Sequence, residues 1–268
     1  MREFAYDDGD FLKASRLLKE NAGIVLGPSK RDLVYSRLIR RLRHHGDRSF
    51  RSYLGRIHTR AGEMEAFVNA LTTNLTAFYR EPHHFRVLEQ YARAFDRSRK
   101  LRVWCAAAST GEEPYSIALT LSECYGAAPP PAEILATDVD TSVLDFARRG
   151  IYEMARVAPL PVHIRNRYFL KGIGARSGSV RVCREVRESV HFVQMNLLAD
   201  RWPNRGRFDV IFCRNVFIYF DRVGQRKTLQ HLSESLQPGG LLIMGHSESL
   251  FYASDLFRSI DRTVYQHA

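Results

Sequence analysis

Apolar positions in residues 1–92 recur every three or four places, and no period-two run of any length interrupts them, which predicts helices. From Lys30 to His44, Val34, Leu38 and Leu42 mark one face of an amphipathic segment, while Lys30, Arg37, Arg40 and His44 fall on another. Phe50, Tyr53, Leu54 and Ile57 predict a further packed helix, and Met64, Phe67, Val68 and Leu71 one more. At Thr72–Phe85 the pattern breaks: Asn74 and Thr76 interrupt the apolar helix end, Arg80 and Glu81 follow, and Pro82 opens a helix carrying Phe85, Val87 and Leu88. This stretch reads as an interdomain turn whose polar groups could close over a ligand.

From Leu101 the pattern changes to strands alternating with helices. Val103-Trp104-Cys105 is the β-favouring run of a buried strand. Ala106, Ala107 and Ala108 leave the backbone open to close approach. Ser109 and Thr110 are N-cap types, Gly111 permits a sharp turn, and Pro114 suits the first turn of a helix through Ile117, Leu119 and Leu121. A strand feeding a helix N-terminus through small residues is the ligand-binding geometry of doubly wound α/β folds. Glu133–Thr137 and Phe208–Cys213 are further buried strands, with Leu241–Met244 after a Gln237-Pro238-Gly239-Gly240 turn. Arg262–Gln266 reads as an edge strand, and Thr141 as the cap of a helix to Arg149. Residues 151–195 break the βα alternation, and the strand-like runs around Val180–Cys183 and Glu188–Met195 predict a small antiparallel insert, joined back to the parallel sheet near Phe192. Its edge could accept an extended peptide.

Candidate chemistry gathers where these strands end. Asp138 closes the second strand, 27 positions after Gly111, as an acid that accepts ribose hydroxyls does. The competing reading of Asp138-Val139-Asp140 as a metal ligand pair lacks the glycine and distal glutamate of a calcium loop. Asn196 and Arg214-Asn215 follow their strands immediately, and Glu113 starts a helix. His83, His84 and His246 show no ligand spacing and read as structural. No glycine-rich dinucleotide fingerprint is present, which counts against a nicotinamide or flavin site. Together these groups suit a nucleoside with an amino-acid tail and no phosphate, the parts of S-adenosylmethionine, with Glu113 taking its ammonium.

Composition narrows the setting. Apolar residues make up 45% of the 268, enough for a core. With no apolar run able to span a bilayer and no leader, a soluble, unsecreted, cytoplasmic protein without membrane insertion is expected. The four cysteines, Cys105, Cys124, Cys183 and Cys213, are scattered as buried reduced thiols usually are. The net charge of +11 is concentrated between residues 30 and 60, where ten Lys or Arg meet only Asp32 and Asp47. Such a block implies an acidic partner: a carboxylate-rich protein, nucleic acid or lipid headgroups. Nucleic acid is disfavoured, since no aromatic stacking cluster accompanies the block and the Arg214-Asn215 loop lacks the two prolines of amino-methylating enzymes.

The motifs AGIVL, KRDLVYSRLIRRLR, TNLTAFYREPHHF, RVWCAAASTGEEPYSIA, ATDVD, MNLL, FCRNVFIYF and LQPGGLLIMGHSES, in this order, closely resemble the bacterial chemotaxis receptor methyltransferases of the CheR type, from roughly Ala22 to Tyr265. The resemblance implies a helical receptor-recognition domain and linker over residues 1–92. It implies a Rossmann-like, doubly wound S-adenosylmethionine-binding domain over 93–268, with a β insert at about 166–192. It implies that Asn74, Thr76, Arg80, Glu113, Asp138, Asn196, Leu197, Arg214 and Asn215 line the cofactor pocket, and that Arg80 and Tyr219 stand near the transferred methyl. S-adenosylhomocysteine is then the product and receptor glutamates the acceptors. The basic helix, with Lys30, Arg37 and Arg40, would bind the methylation helices of the receptor's cytoplasmic domain. The Gly172-Ile173-Gly174 turn, through Gly172 and Gly174, would dock a receptor C-terminal peptide, and the protein would act as a monomer. A sensor that binds the cofactor without catalysis would share the pocket and differs by forming no methyl ester.

Overall fold

The computed structural model describes residues 2–250 and 253–267. The chain opens with helices α1 (Asp8–Ala22), α2 (Arg31–His45), α3 (Phe50–Arg56) and α4 (Glu63–Leu71). Asp7 and Asp10 cap α1 reciprocally, and Ser49 caps α3. Leu18, Val34, Leu38, Leu42, Phe50, Tyr53 and Phe67 form one core, so the apolar period did mark the inward face. Lys30 lies in a 3-10 turn just before α2 rather than on it.

Most of the basic block is internal to this domain. Arg41 pairs with buried Glu63, which also accepts from the Tyr53 hydroxyl at 2.5 Å and contacts His45 Nε2 at 2.5 Å. Burial works to raise the Glu63 carboxyl, yet these three partners together hold it at about 2. Arg56 and Arg60 close on buried Asp47, while Arg31 and Arg43 pair with Asp8 and Glu3. Charge density in sequence therefore overstated the free positive surface. Lys30 and Arg40 remain exposed and, among the described residues, have no acidic partner.

After α5 (His83–Ala94), a sheet is built from β1 (Leu101–Cys105), α6 (Glu112–Tyr125), β2 (Ala132–Asp138) and α7 (Thr141–Arg149). An excursion follows through β3 (Ile151–Glu153), α8 (Met154–Val157), α9 (Val162–Tyr168), β4 (Phe169–Lys171), β5 (Ser179–Val182) and α10 (Arg184–Glu188) before β6 (Val190–Gln194) rejoins the sheet. The remainder is β7 (Phe208–Cys213), α11 (Arg222–Glu234), β8 (Leu236–Met244), β9 (Phe257–Asp261) and β10 (Val264–His267). The main sheet runs β6-β2-β1-β7-β8-β10-β9, parallel from β6 to β8, with β9 and β10 antiparallel at one end. The small antiparallel sheet runs β3-β5-β4. It starts upstream of residue 166 because a three-residue strand carries no readable period, and β6 rejoins the parallel sheet beside β2, with Phe192 opposite Ala136 as expected.

Two expectations at the C-terminal end change. The Pro238-Gly239-Gly240 stretch lies within β8, as an irregularity that shifts the register from Phe208 opposite Leu236 to Val210 opposite Leu241. β10 is not an edge strand: it sits between β8 and β9. Apart from buried Phe257, β9 is exposed along its length and so lacks the alternation that would announce a strand.

Strand order reverses between β1 and β7, and the carboxyl ends of β2, β1 and β7 deliver Asp138, Ala106 and Arg214 to the crevice there. The helical domain closes over that rim. Thr72 and Asn74 donate to Asp140 at 2.5 and 2.9 Å, Val25 N–H donates to Tyr219 O at 2.9 Å, and Asn196 donates to Asn21 O at 3.1 Å.

Candidate functional site

The turn after β1 sets the floor. Ser109 and Thr110 do not cap α6 as their types suggested; Gly111 does, at φ 97°. A Cβ there would stand 2.8 Å from both the Ala147 Cβ and the Tyr152 hydroxyl, so the turn needs glycine twice over. Ser109 is instead turned to φ 48°, its N–H donating to Asp138 Oδ2 at 2.8 Å and its hydroxyl to Asn74 O at 3.1 Å. Asp138 Oδ1 accepts from the Asp140 N–H at 3.0 Å. Burial pushes the Asp138 carboxyl up to about 6, against these backbone donors.

Asp140, not Thr141, caps α7, accepting from the N–H groups of Ser142 and Val143. Its other oxygen binds Thr72 and Asn74. The two aspartates thus do separate work, one lining the cavity and one bolting the linker to the sheet. Among the described residues no group of three or more His, Cys, Asp or Glu is arranged to hold a metal ion.

A chain of charge lies behind the floor. Arg214 Nη1 donates to Glu113 Oε2 at 2.6 Å; Nη2 donates to Arg80 O at 2.6 Å and stands 3.1 Å from Glu81 Oε2. Arg214 and Glu113 are buried, and Cys105 Sγ donates to Glu113 Oε1 at 3.3 Å. Burial outweighs Arg214 at Glu113 and pushes that carboxyl up. At Glu81 burial also pushes up, but Arg214, helped by His246, prevails and the carboxyl sits below its ordinary value. Buried Glu248 shapes the next loop by accepting from the N–H groups of Asn215, Phe217 and Gly245 at 2.7, 2.8 and 2.7 Å.

These elements enclose a cavity of about 470 Å³, a size suited to a small ligand. Asn74, Thr76, Arg80, Glu113, Asp138, Asn196, Leu197, Arg214, Asn215 and Tyr219 all line it, as does Lys30 at its mouth. Some of them line it with their polar ends engaged: the Asn74 amide serves Asp140, and Asn196 Oδ1 accepts from Leu198 N–H at 2.9 Å. Arg80 Nη1 donates to Leu75 O at 2.9 Å. Outside the cavity, half-buried Arg37 donates from Nη1 to Leu71 O at 3.0 Å and Thr72 O at 2.5 Å, securing the end of α4. Arg40 lies exposed on α2. Gly172 and Gly174 are far along the chain in the β4–β5 turn, where a Cβ on Gly172 would stand 2.0 Å from Arg176 O and Gly174 has φ 58°.

Sequence reasoning missed Glu81, Asp140 and Glu248 as parts of the site. Asp140 could have been found, since an aspartate directly before a helix start is a common cap. The residues present fit a nucleoside with an amino-acid tail. An acid stands at the rim, small Ala106 and Ala107 line the cavity beside it, and a carboxylate opens α6.

Residues 74–266 match the family described as CheR methyltransferase, SAM binding domain, and residues 9–72 match the CheR methyltransferase all-alpha domain. The chain is 49% identical to chemotaxis protein methyltransferase 2 of Pseudomonas aeruginosa over 268 residues, covering 100% of this chain and 96% of that one. It is 48% identical to the chemotaxis protein methyltransferase of Escherichia coli, covering 97% and 91%. Against the Salmonella typhimurium protein of the same name it is 46% identical, covering 98% and 92%.

Proposed function

The chain belongs to the CheR methyltransferase family and is an S-adenosylmethionine-dependent chemotaxis methyltransferase; from that premise we propose that its acceptors are glutamate side chains of chemotaxis receptors, which it converts to methyl esters. The observation that carries this reading is the cavity at the sheet's carboxyl rim that joins Asp138 and Glu113 to Arg80 and Tyr219, with Lys30 at its mouth.

When bound, S-adenosylmethionine supplies an electrophilic methyl group. Asp138 would hold the ribose hydroxyls, and Glu113, at the start of α6, the ammonium of the tail. A glutamate acceptor has an ordinary pKa of about 4.3 and is already a nucleophile at neutral pH. No general base is needed. The protein's task is to exclude water and align a carboxylate oxygen, which can remove on the order of 7 kcal/mol of barrier. Arg80 orients the acceptor carboxylate by charge, and the Tyr219 hydroxyl assists. Exposed Lys30 and Arg40 offer positive charge to an acidic receptor helix. The outer side of β4, an edge strand carrying exposed Leu170, is where an extended receptor C-terminal peptide could add a strand. Among the described residues no helix is long and apolar enough to cross a membrane.

Purified protein, a receptor signalling domain and methyl-labelled S-adenosylmethionine test the reading. Alkali-volatile label on receptor glutamates is expected. Label that is stable to alkali, or label carried by nucleic acid with a steep salt dependence, would refute it.

Asp138 adds a pH dependence. Its ionised form accepts the ribose hydroxyls, so cofactor affinity is full above about pH 6 and falls as the carboxyl protonates below it, approaching tenfold per pH unit. Calorimetric titration of S-adenosylhomocysteine from pH 8 to 5 should show this slope. Asp138→Asn should bind more weakly throughout and lose the segment near pH 6.

A further inference from the structure

We propose that Glu81 is a positioning residue for recognition of the cofactor's ammonium: by engaging Arg214 from behind the cavity, it leaves Glu113 as the net negative group that the ligand meets. The inference rests on Glu113 being the group that takes the ammonium.

Arg214 alone would cancel Glu113. Its Nη1 lies 2.6 Å from the Glu113 carboxylate, and the guanidinium side chain has no solvent exposure, so water does not screen the pair. An ammonium approaching a neutral pair gains little. The second carboxylate changes the balance: Glu81 Oε2 stands 3.1 Å from Arg214 Nη2, and the trio Glu81, Arg214, Glu113 carries one net negative charge in a buried place. One cation completes it, approaching from the side of Glu113 and Arg214, which line the cavity, whereas Glu81 is not among the lining residues.

The backbone has been shaped to put Glu81 there. It adopts φ 56°, a left-handed conformation that side-chain-bearing residues avoid and that persists where the surroundings hold it. Tyr79, two residues before it, and the facing Asn215 do the same, at φ 52° and 57°. Asn215 Nδ2 donates to Glu81 Oε1 at 3.5 Å, and His84 Nδ1 and His246 Nε2 approach Oε2 at 3.5 and 3.8 Å. A carboxylate is thus held on the far side of Arg214, out of the ligand's reach, where its contribution is charge.

A purely structural brace would act on every ligand alike, whereas a charge acts on the ammonium. The probes are therefore S-adenosylhomocysteine and its desamino analogue, in which hydrogen replaces the α-amino group, each titrated by calorimetry. Glu81→Gln keeps the shape and should cut the preference for the amino ligand on the order of tenfold, with desamino affinity unchanged. Glu81→Asp, which retains the charge, should keep the preference. Binding of the desamino analogue itself reports a folded pocket, and the ratio is read in Glu81→Ala as well, so one folded variant suffices. Equal weakening of both ligands, or an unaltered ratio in Glu81→Gln, overturns the proposal. Glu113→Gln separates the two readings. If it abolishes the preference while Glu81→Gln does not, Glu113 keeps its role and Glu81 loses its positioning role. If it leaves the preference intact, the reading of Glu113 falls as well.

Discussion

Replacing Arg214 by alanine should destabilise the protein by about 3–5 kcal/mol, a fall in melting temperature of roughly 10 °C, and remove measurable cofactor binding. The reason lies in what remains. Glu81 and Glu113 would face each other across the vacated space, with side chains 10% and 9% exposed and no counter-ion between them. Losing one member of a buried ion cluster costs far more than the intact cluster contributes, because the surviving charges stay desolvated. The sign of the pH dependence follows. Without Arg214 both folded-state carboxyls are raised above their unfolded values, so the variant is penalised as pH rises through the unfolded range and least penalised when both are protonated. Melting curves of the two proteins should therefore converge toward acid and diverge toward neutrality. The triple variant Glu81→Gln, Glu113→Gln, Arg214→Met removes every charge at once and should recover most of the lost stability while still binding no cofactor. A melting temperature for Arg214→Ala within about 2 °C of the parent at neutral pH would mean that the three charges are not coupled as their distances indicate.

Much of this site was legible because the chemistry sits where strands stop. Asp138, Asn196 and Arg214-Asn215 each follow a run of apolar residues, and in a parallel sheet such positions share one rim whatever their separation in sequence. The α-helical start was legible too, because Val34, Leu38 and Leu42 are core residues in fact as in pattern. What escaped notice depends on partners far away in the chain. Periodicity puts Arg37 on a polar face, but only the fold shows that this face meets the end of α4. The density of arginine in α2 suggested a docking surface, yet Arg41 is taken up by buried Glu63, and Arg31 and Arg43 by Asp8 and Glu3. Glu81 reads as one more charge in a turn until Arg214, 133 positions on, is seen beside it. The hydroxyls of Ser109 and Thr110 looked like caps because that is their usual work beside a helix start. Here Gly111 makes the turn, and Ser109 is left to hold Asp138 and Asn74 together.

Arg80→Ala is the variant from which the deepest loss of turnover is expected, about 100-fold or more, with S-adenosylhomocysteine affinity changed by less than about tenfold. The structure separates two functions within this residue. Its backbone oxygen accepts from Arg214 at 2.6 Å, a bond that alanine retains, so the buried charge trio survives the substitution. Its guanidinium is held over the cavity by a bond from Nη1 to Leu75 O at 2.9 Å, leaving other donors for an incoming carboxylate. An acceptor anion entering a cavity lined by Asp138 and Glu113 meets negative charge. Arg80, which joins the Arg214 network through its backbone while Lys30 stands at the mouth, is a cation on its path once Arg214 is engaged. The loss should accordingly fall on transfer rather than on cofactor binding, and Arg80→Lys should restore part of it by supplying charge without the planar fork. Tyr219→Phe, which removes one hydroxyl from the same cavity, should bind cofactor normally and slow transfer more modestly. Single-turnover methylation of a receptor signalling domain, run beside calorimetry of the product, measures both quantities. If Arg80→Ala transferred methyl at the parental rate while still binding S-adenosylhomocysteine, the acceptor carboxylate would have to be oriented by some other group, and the assignment of Arg80 would be withdrawn.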